Sequence, residues 1–596
     1  MRQLCFGILC LGITVGLQAA ERAPAIGDKI GELKFKDIRS LERTLTDFGP
    51  KQAYVLVFTT TECPIVNKSI PKLIDLDQRF SPRDVQIVAV NVGPADTILS
   101  MAAQAVDYDA AFPFVKDMDL SCVKALGVER TPEVAVLNAD RILVYRGRID
   151  DQFRLGGTRT EPRRKDLEAA LNELLDGQKL SVTTTPVDGC LITEPEPINT
   201  NLPAPQFHRD VAAILNQKCV SCHREGTGAP FSLTSYADAT AHAEMIAEVI
   251  SDQRMPPWYA NPKHGTFQND PSLTRRERDT LLRWVKSSRA EGDPKDAPEA
   301  PVFPETKWRI GEPDLVLTTV EEDTIPPTGF IPYRNVLLPH VFLNETWVEA
   351  VEIRPMNPAV VHHCNMAYVT SKGAGNHTFI TGHVPGGLPM DLSSFDNGVA
   401  YKIPQWATLG LQIHYTTTGK EEKCRIQVAF RFPRRAVDKQ LKHFVLDPRD
   451  FQIEPGNGAY PVRSSLTFEE DVTLLGLFTH MHVRGKDMTF FATIPDQPRQ
   501  TLLQIPNFNF EWQLGYKFAP GQKRFPKGTV LEAIAHYDNS TFNPYNPDPK
   551  RTVPYGDQTY DEMFNGYGFY VADDEHLNLT IDPKTGAAKK SVASSK

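Results

Sequence analysis

The sequence predicts a chain of unlike domains: α/β first, all-α next and all-β last. Three observations carry this. Two largely apolar runs, residues 53–58 (AYVLVF) and 85–92 (VQIVAVNV), lie among helical stretches, as strands of a sheet covered on both faces do. Between residues 207 and 291 the apolar residues recur at helical spacing. Residues 424–432 (CRIQVAFRF) alternate strictly, with Cys424, Ile426, Val428, Phe430 and Phe432 on one face. With 596 residues the chain is too long for a single core.

In chain order, Arg2, an apolar stretch over residues 4–17 and Gln18-Ala19-Ala20 have the shape of a secretory signal. Residues 1–20 are therefore expected to be removed, leaving a soluble periplasmic or secreted protein. No apolar run long enough to span a bilayer follows. Export implies an oxidising compartment. Of nine cysteines, Cys5 and Cys10 fall in the signal. Cys63, Cys122, Cys190, Cys219, Cys222, Cys364 and Cys424 remain, an odd set in which at least one is unpaired or bound to something else.

Residues 21–182 form the α/β domain, with a helix around Ile70 to Phe80 and a hairpin over 133–148 turning at Asn138-Ala139-Asp140-Arg141. Residues 183–206, rich in Thr, Pro and Asn, read as a linker. In the helical segment 207–291, Val211, Ile214 and Leu215 share a face, and Thr274 with Glu277 forms a capping box ahead of Leu281, Leu282, Trp284 and Val285. Residues 292–307 read as a second linker, 308–575 as strands of sandwich type and 576–596 as a tail, mobile from Lys584. The 65 basic against 74 acidic side chains, a net charge of −9, exclude nucleic acid as the main partner.

Cys219-Val220-Ser221-Cys222-His223 is the most specific local motif. Two thiols on one helical turn suit addition to two haem vinyl groups, and the next imidazole then faces the iron. A redox CxxC or half a zinc site are the alternatives. Met255, in Arg254-Met255-Pro256-Pro257-Trp258, is the leading candidate for the sixth ligand, with Met245, His242 and His264 as rivals. This segment resembles a small class I cytochrome c domain, which implies one covalently bound haem c.

The β region carries His362-His363, His414, His480-Met481-His482 and Met563. Residues i and i+2 on a strand point the same way, so His480 and His482 can grip one metal. Adjacent His362 and His363 point to opposite faces of an ideal strand and share a metal only if the backbone twists or the rings use different nitrogens. Imidazoles with a thioether favour copper over zinc. Taken singly, each group reads as ordinary strand histidines.

The order H-H, then Leu411-Gln412-Ile413-His414-Tyr415, then H-x-H, then Asp561-Glu562-Met563 resembles the copper type II, ascorbate-dependent monooxygenases, the family of peptidylglycine hydroxylating and dopamine β-monooxygenases. The resemblance implies two β-sandwich subdomains with one copper ion each. His362, His363 and His414 would hold an electron-transfer copper. His480, His482 and Met563 would hold the copper that meets O2 and substrate, with Asn565 and Tyr567 beside the substrate. Phe478 stands where the peptide-hydroxylating branch has an arginine for the peptide carboxylate. His383 and His536 read as supporting residues. Cys364 and Cys424, each close in sequence to a residue of the first histidine set, are expected to form a disulfide.

The strand before Thr60-Thr61-Glu62-Cys63-Pro64 and the helix after it resemble the thioredoxin-like fold of redoxins and peroxiredoxins, and Thr131-Pro132 matches that fold's cis-proline loop. Val66 leaves no CxxC, and Leu56 stands where the peroxiredoxin motif has proline. Cys63 at a helix start reads as a peroxidatic or redox thiol with Cys122 or Cys190 as its resolving partner, or as an inert cysteine on a retained fold.

Together these readings predict an exported haem- and copper-dependent monooxygenase, with haem c feeding the electron-transfer copper and O2 hydroxylating a C–H bond of a small-molecule or peptide substrate. Ascorbate or another one-electron redox donor would supply electrons. The alternative is a non-oxygenating redox relay or copper-binding sensor.

Overall fold

In the computed structural model, residues 24–154, 156–194, 203–303, 307–370, 377–384, 387–395 and 398–589 are described. The predicted signal, residues 1–20, lies outside them.

The two apolar runs become the parallel strands Ala53–Thr59 and Val85–Asn91, paired in register from Ala53 with Val85 to Thr59 with Asn91. They lie in a seven-stranded sheet whose spatial order is Glu42–Thr44, Lys34–Asp37, Phe114–Lys116, Val85–Asn91, Ala53–Thr59, Glu133–Asn138 and Leu143–Gly147. Each face of this sheet has its own core. Leu73, Leu76 and Phe80 of helix Pro64–Phe80 and Leu167 and Leu171 of helix Asp166–Leu175 cover one face. Phe35, Phe48, Val123 and Leu126 cover the other. This is a thioredoxin-like arrangement, and its hairpin turns where the sequence placed it.

The first stretch of the expected linker belongs to this domain. Thr184 bridges to Arg146, and Cys190–Leu191 is a strand antiparallel to Arg130–Thr131. Its Thr/Pro/Asn composition hid a short strand that needs no alternation, being held from one side.

Residues 207–291 are helical in part. Helices Ala212–Lys218, Tyr236–Ala241, Ala243–Ser251 and Arg275–Lys286 surround a small core with Phe207, Val211, Leu215, Leu281 and Trp284. The Thr274 box forms as read, its Oγ1 accepting from Glu277 N at 3.2 Å. The stretch between Ser251 and Arg275 is irregular, and Tyr259, Ala260 and Phe267 leave the helices to join a β core of the C-terminal region.

That region is mostly β and holds two cores. The first lies between the sheets built on Ala350–Pro355 with Ile426–Arg431 and on Val361–Val369 with Ala407–Tyr415. The second lies between sheets built on Val472–His480 with Asn565–Ala572 and on Gly485–Thr493 with Val530–Tyr537. The tail is not loose through Lys589: Ile581 packs with Trp347, and Ala587 bridges to Thr346.

The thioredoxin-like domain is docked on the second β core. Phe48 stacks on Phe542 with centroids 4.6 Å apart, and Arg43 donates to Phe542 O at 2.6 Å. No helix among the described residues is long and apolar enough to cross a membrane.

Candidate functional sites

Cys63 caps helix Pro64–Phe80, so its sulfur sits at the helix start among unpaired N–H groups. It is 2 % exposed. Cys190 donates to it, Sγ to Sγ at 2.9 Å, and the Thr131 carbonyl lies 3.5 Å away. Burial works against the Cys63 thiolate, but Cys190 and the N–H groups of Val66 and Ile65 hold its pKa below the usual thiol range. The contact with Cys63, and burial after it, push Cys190 up to about 11. Of the two partners proposed for Cys63, the structure brings Cys190 and not Cys122. Cys122 is buried in the opposite face's core and donates to Lys34 O.

His362 and His363 share one side through a β-bulge. Val361 pairs with Tyr415 and His363 with His414, so one residue, His362, is extra in its strand. The bulge brings His362 Nδ1 to 3.1 Å from His363 Nδ1. With His414, the three rings each offer a nitrogen, all within 4.8 Å of one another. Nδ1 of His414 is buried without a hydrogen-bond partner among the described residues. Burial, reinforced by the neighbouring imidazoles, lowers His363 well below the usual range and His414 to about 4, so both rings are neutral at pH 7. A converging set of three ring nitrogens, one of them orphaned, fits a bound metal ion.

Strand Val472–His480 ends at the second set. His480 pairs with Asn565 in register, and Met563, two residues before Asn565, lines the same cleft as His480 and His482. The His480 and His482 rings lie 5.2 Å apart and nearly perpendicular. His480 Nδ1 meets Gln513 Oε1 at 2.5 Å and His482 Nδ1 meets Asp561 O at 3.2 Å, and neither Nε2 has a hydrogen-bond partner among the described residues. Glu562 accepts from the backbone N–H groups of His482, Arg484 and Met563 and so ties the two ligand segments together. Two imidazoles and a thioether fit a soft metal such as Cu(I).

His363 of the first set and His480, His482 and Met563 of the second line one cleft of about 1060 Å³, with Phe478 and Tyr567 on its wall. The rings of His363 and His480 are 6.4 Å apart across it. Residues 509–513 support both sets. Glu511 Oε2 meets His362 Nε2 at 2.8 Å, Phe510 stacks on His362 at 5.0 Å, and Gln513 holds His480. Phe510, Glu511 and Gln513 carry no motif spacing, and sequence reading missed them.

Cys219, Cys222 and His223 form one turn, His223 N donating to Cys219 O at 2.8 Å. The His223 Nδ1 meets Phe231 O at 3.1 Å, which orients the ring and leaves Nε2 without a protein partner among the described residues. Two free thiols and a fixed imidazole fit a covalent haem. Phe231 touches His223 (4.9 Å) and stacks on His242 (3.9 Å), so the structure brings His242 close to the motif. Met255 is half-buried, Met245 is exposed, and His264 sits in the irregular stretch.

The expected Cys364–Cys424 disulfide is absent. Both are free thiols buried in the first β core, with Cys424 turned to the carbonyls of Asn357 and Arg425. Their nearness in sequence to His363 and His414 did not fix the direction of their sulfurs. His383 is half-buried and pairs in register with Cys364, and His536 bonds Asp487.

The Redoxin family model matches residues 25–159. Those residues are a redoxin domain. No curated protein matches the chain. Among solved structures, a hypothetical protein from Sinorhizobium meliloti is 25% identical over 30% of this chain and 98% of its own, with a TM-score of 0.27. An uncharacterized conserved protein from Geobacillus kaustophilus is 25% identical over 30% of this chain and 95% of its own, also at 0.27. A peroxidoxin from Mycobacterium tuberculosis is 17% identical over 25% of this chain and 94% of its own, at 0.20. The family match stops before Cys190, so the redoxin domain's thiol partner comes from outside the matched stretch.

Proposed function

We propose that the chain is an exported oxidoreductase in which the histidine cleft is a dicopper monooxygenase centre fed by haem c. The observation that carries this reading is the cleft itself: two donor sets, distant in sequence, converge on it with pre-oriented imidazoles and a thioether. Copper held there would supply one-electron redox chemistry and the activation of O2 for C–H hydroxylation. His362, His363 and His414 hold the electron-transfer site, and His480, His482 and Met563 the oxygen-facing one. Phe478, Asn565 and Tyr567 orient a small-molecule or peptide substrate. Cys219 and Cys222 anchor the haem, His223 faces its iron, and Met255 or His242 closes the sixth position. Ascorbate or another one-electron donor refills the chain.

Copper stoichiometry of folded variants, with O2 uptake, tests this. His414→Ala and His480→Ala should each lose one copper. If both variants stay folded and keep two coppers, the dicopper reading fails.

A second reading, a non-oxygenating redox relay, is favoured by the redoxin match and by the Cys63–Cys190 contact. Copper that cycles between oxidation states with no O2 uptake under any reductant would select it.

A further inference from the structure

The redoxin domain's thiol site is closed by a piece of the same chain. Cys190–Leu191 lies antiparallel on Arg130–Thr131, with Cys190 opposite Thr131. Arg130 Nη1 donates to Gly189 O at 2.9 Å. A Cβ on Gly189 would stand 2.2 Å from Thr131 O, so only glycine permits this approach. The backbone edge beside Cys63 is therefore already paired, and an extended segment of another protein cannot lie along it. Cys63 is 2 % exposed beneath this strand, whereas Cys190 is half-buried and its neighbour Leu191 is 61 % exposed.

We propose that Cys63 and Cys190 form a reversible dithiol–disulfide couple whose exchange partner is a low-molecular-weight thiol or disulfide, and that this partner reacts at Cys190. The proposal rests on the second reading above. In the reducing direction a thiolate RS⁻ attacks Cys190 Sγ, the Cys190–Cys63 bond breaks, and the electron pair leaves on Cys63. A second RS⁻ attacks the external sulfur of the mixed disulfide, releasing RSSR and the Cys190 thiolate. Protons from the two RSH end on the two cysteines. The sum is protein disulfide plus two RSH giving protein dithiol plus RSSR, and low-molecular-weight disulfide drives the reverse. The unequal thiols support this polarity, because the sulfur with the lower pKa leaves faster. The helix start that holds Cys63 favours its thiolate.

The test is peptide mapping of the full-length protein, without reduction, after treatment with oxidised glutathione. Wild type should give a Cys63–Cys190 cross-link. Cys63→Ser should accumulate glutathione on Cys190, and Cys190→Ser should modify Cys63 about tenfold more slowly or less. Quenching wild-type disulfide early in its reaction with reduced glutathione should show the adduct on Cys190 and an alkylated Cys63, a readout that needs no variant to fold. An adduct on Cys63 in that quench overturns the assignment of the attacked sulfur while leaving the couple standing. A wild type that forms no cross-link overturns the couple, while the relay reading stands or falls separately on copper cycling and O2 uptake.

Discussion

The Asn509 amide donates to the Tyr259 hydroxyl over 3.3 Å. Tyr259 follows Met255-Pro256-Pro257-Trp258 in the helical segment, and Asn509 begins the run whose Glu511 meets His362. Trp258 also packs on Tyr516 in the second β core, with centroids 4.8 Å apart. A segment proposed to carry haem thus touches the loop that supports both histidine sets.

Glu511→Gln keeps the shape of that loop and removes the charge facing His362. Partners of this kind set ligand orientation and basicity, so copper affinity at the first site should fall by ~10–100-fold, with the second site unchanged. Copper titration by competition with a chelator measures both sites. Equal weakening of both would show that Glu511 acts on the loop as a whole.

Cys219→Ser combined with Cys222→Ser should abolish haem that survives a denaturing gel. Met255→Ala and His242→Ala then separate the candidates for the sixth position: the ligand variant should change the visible spectrum of the ferrous protein, and the other should not. Retained covalent haem in the double serine variant would remove the attachment site from Cys219 and Cys222.

His536 titrates at the docking surface of the redoxin domain. Burial disfavours its charged form, but the charge and hydrogen bond of Asp487 and the charge of Asp109 outweigh this and the opposing Lys486, raising its pKa. Asp487 lies 2.7 Å from Nδ1 and Asp109, across the domain contact, 3.3 Å from Nε2. A raised folded-state pKa gives stability that is complete below the unfolded value, about 6.5, and lost as pH rises through the folded one. The Tm difference between wild type and His536→Gln should therefore shrink from mildly acidic to alkaline pH. A difference that grows with pH contradicts this sign.

Thiol labelling of the denatured, unreduced protein should modify both Cys364 and Cys424, since neither is bonded to another sulfur. Labelling of the native protein should spare both, because they are buried. Protection that persists in denaturant would mean that they are joined.

The large elements were legible because each has a period or a cap. The apolar runs, the alternation ending at Phe432 and the Thr274 box all became the elements they predict. The histidine cleft was legible only in part. Adjacent His362 and His363 belong on opposite faces of a regular strand, and only a bulge, which leaves no mark in side-chain pattern, turns them together. Glu511 and Gln513 act through a loop of irregular backbone, where spacing carries no direction. Cys190 was named as a candidate partner of Cys63, but its strand was concealed for a related reason: one edge of backbone hydrogen bonds holds it, with no alternating face to betray it.

The return of the tail to the first β core has a consequence for the order of synthesis. Trp347, beside Val348 of that core, packs in a small cluster with Val437 and with Ile581 near the end of the chain. While a ribosome is still adding the residues between them, the first sandwich lacks its last piece, yet the second sandwich is already being made. The redoxin domain can close as soon as it emerges, whereas the sandwich that bears His362, His363 and His414 is finished last, after the one bearing His480 and His482.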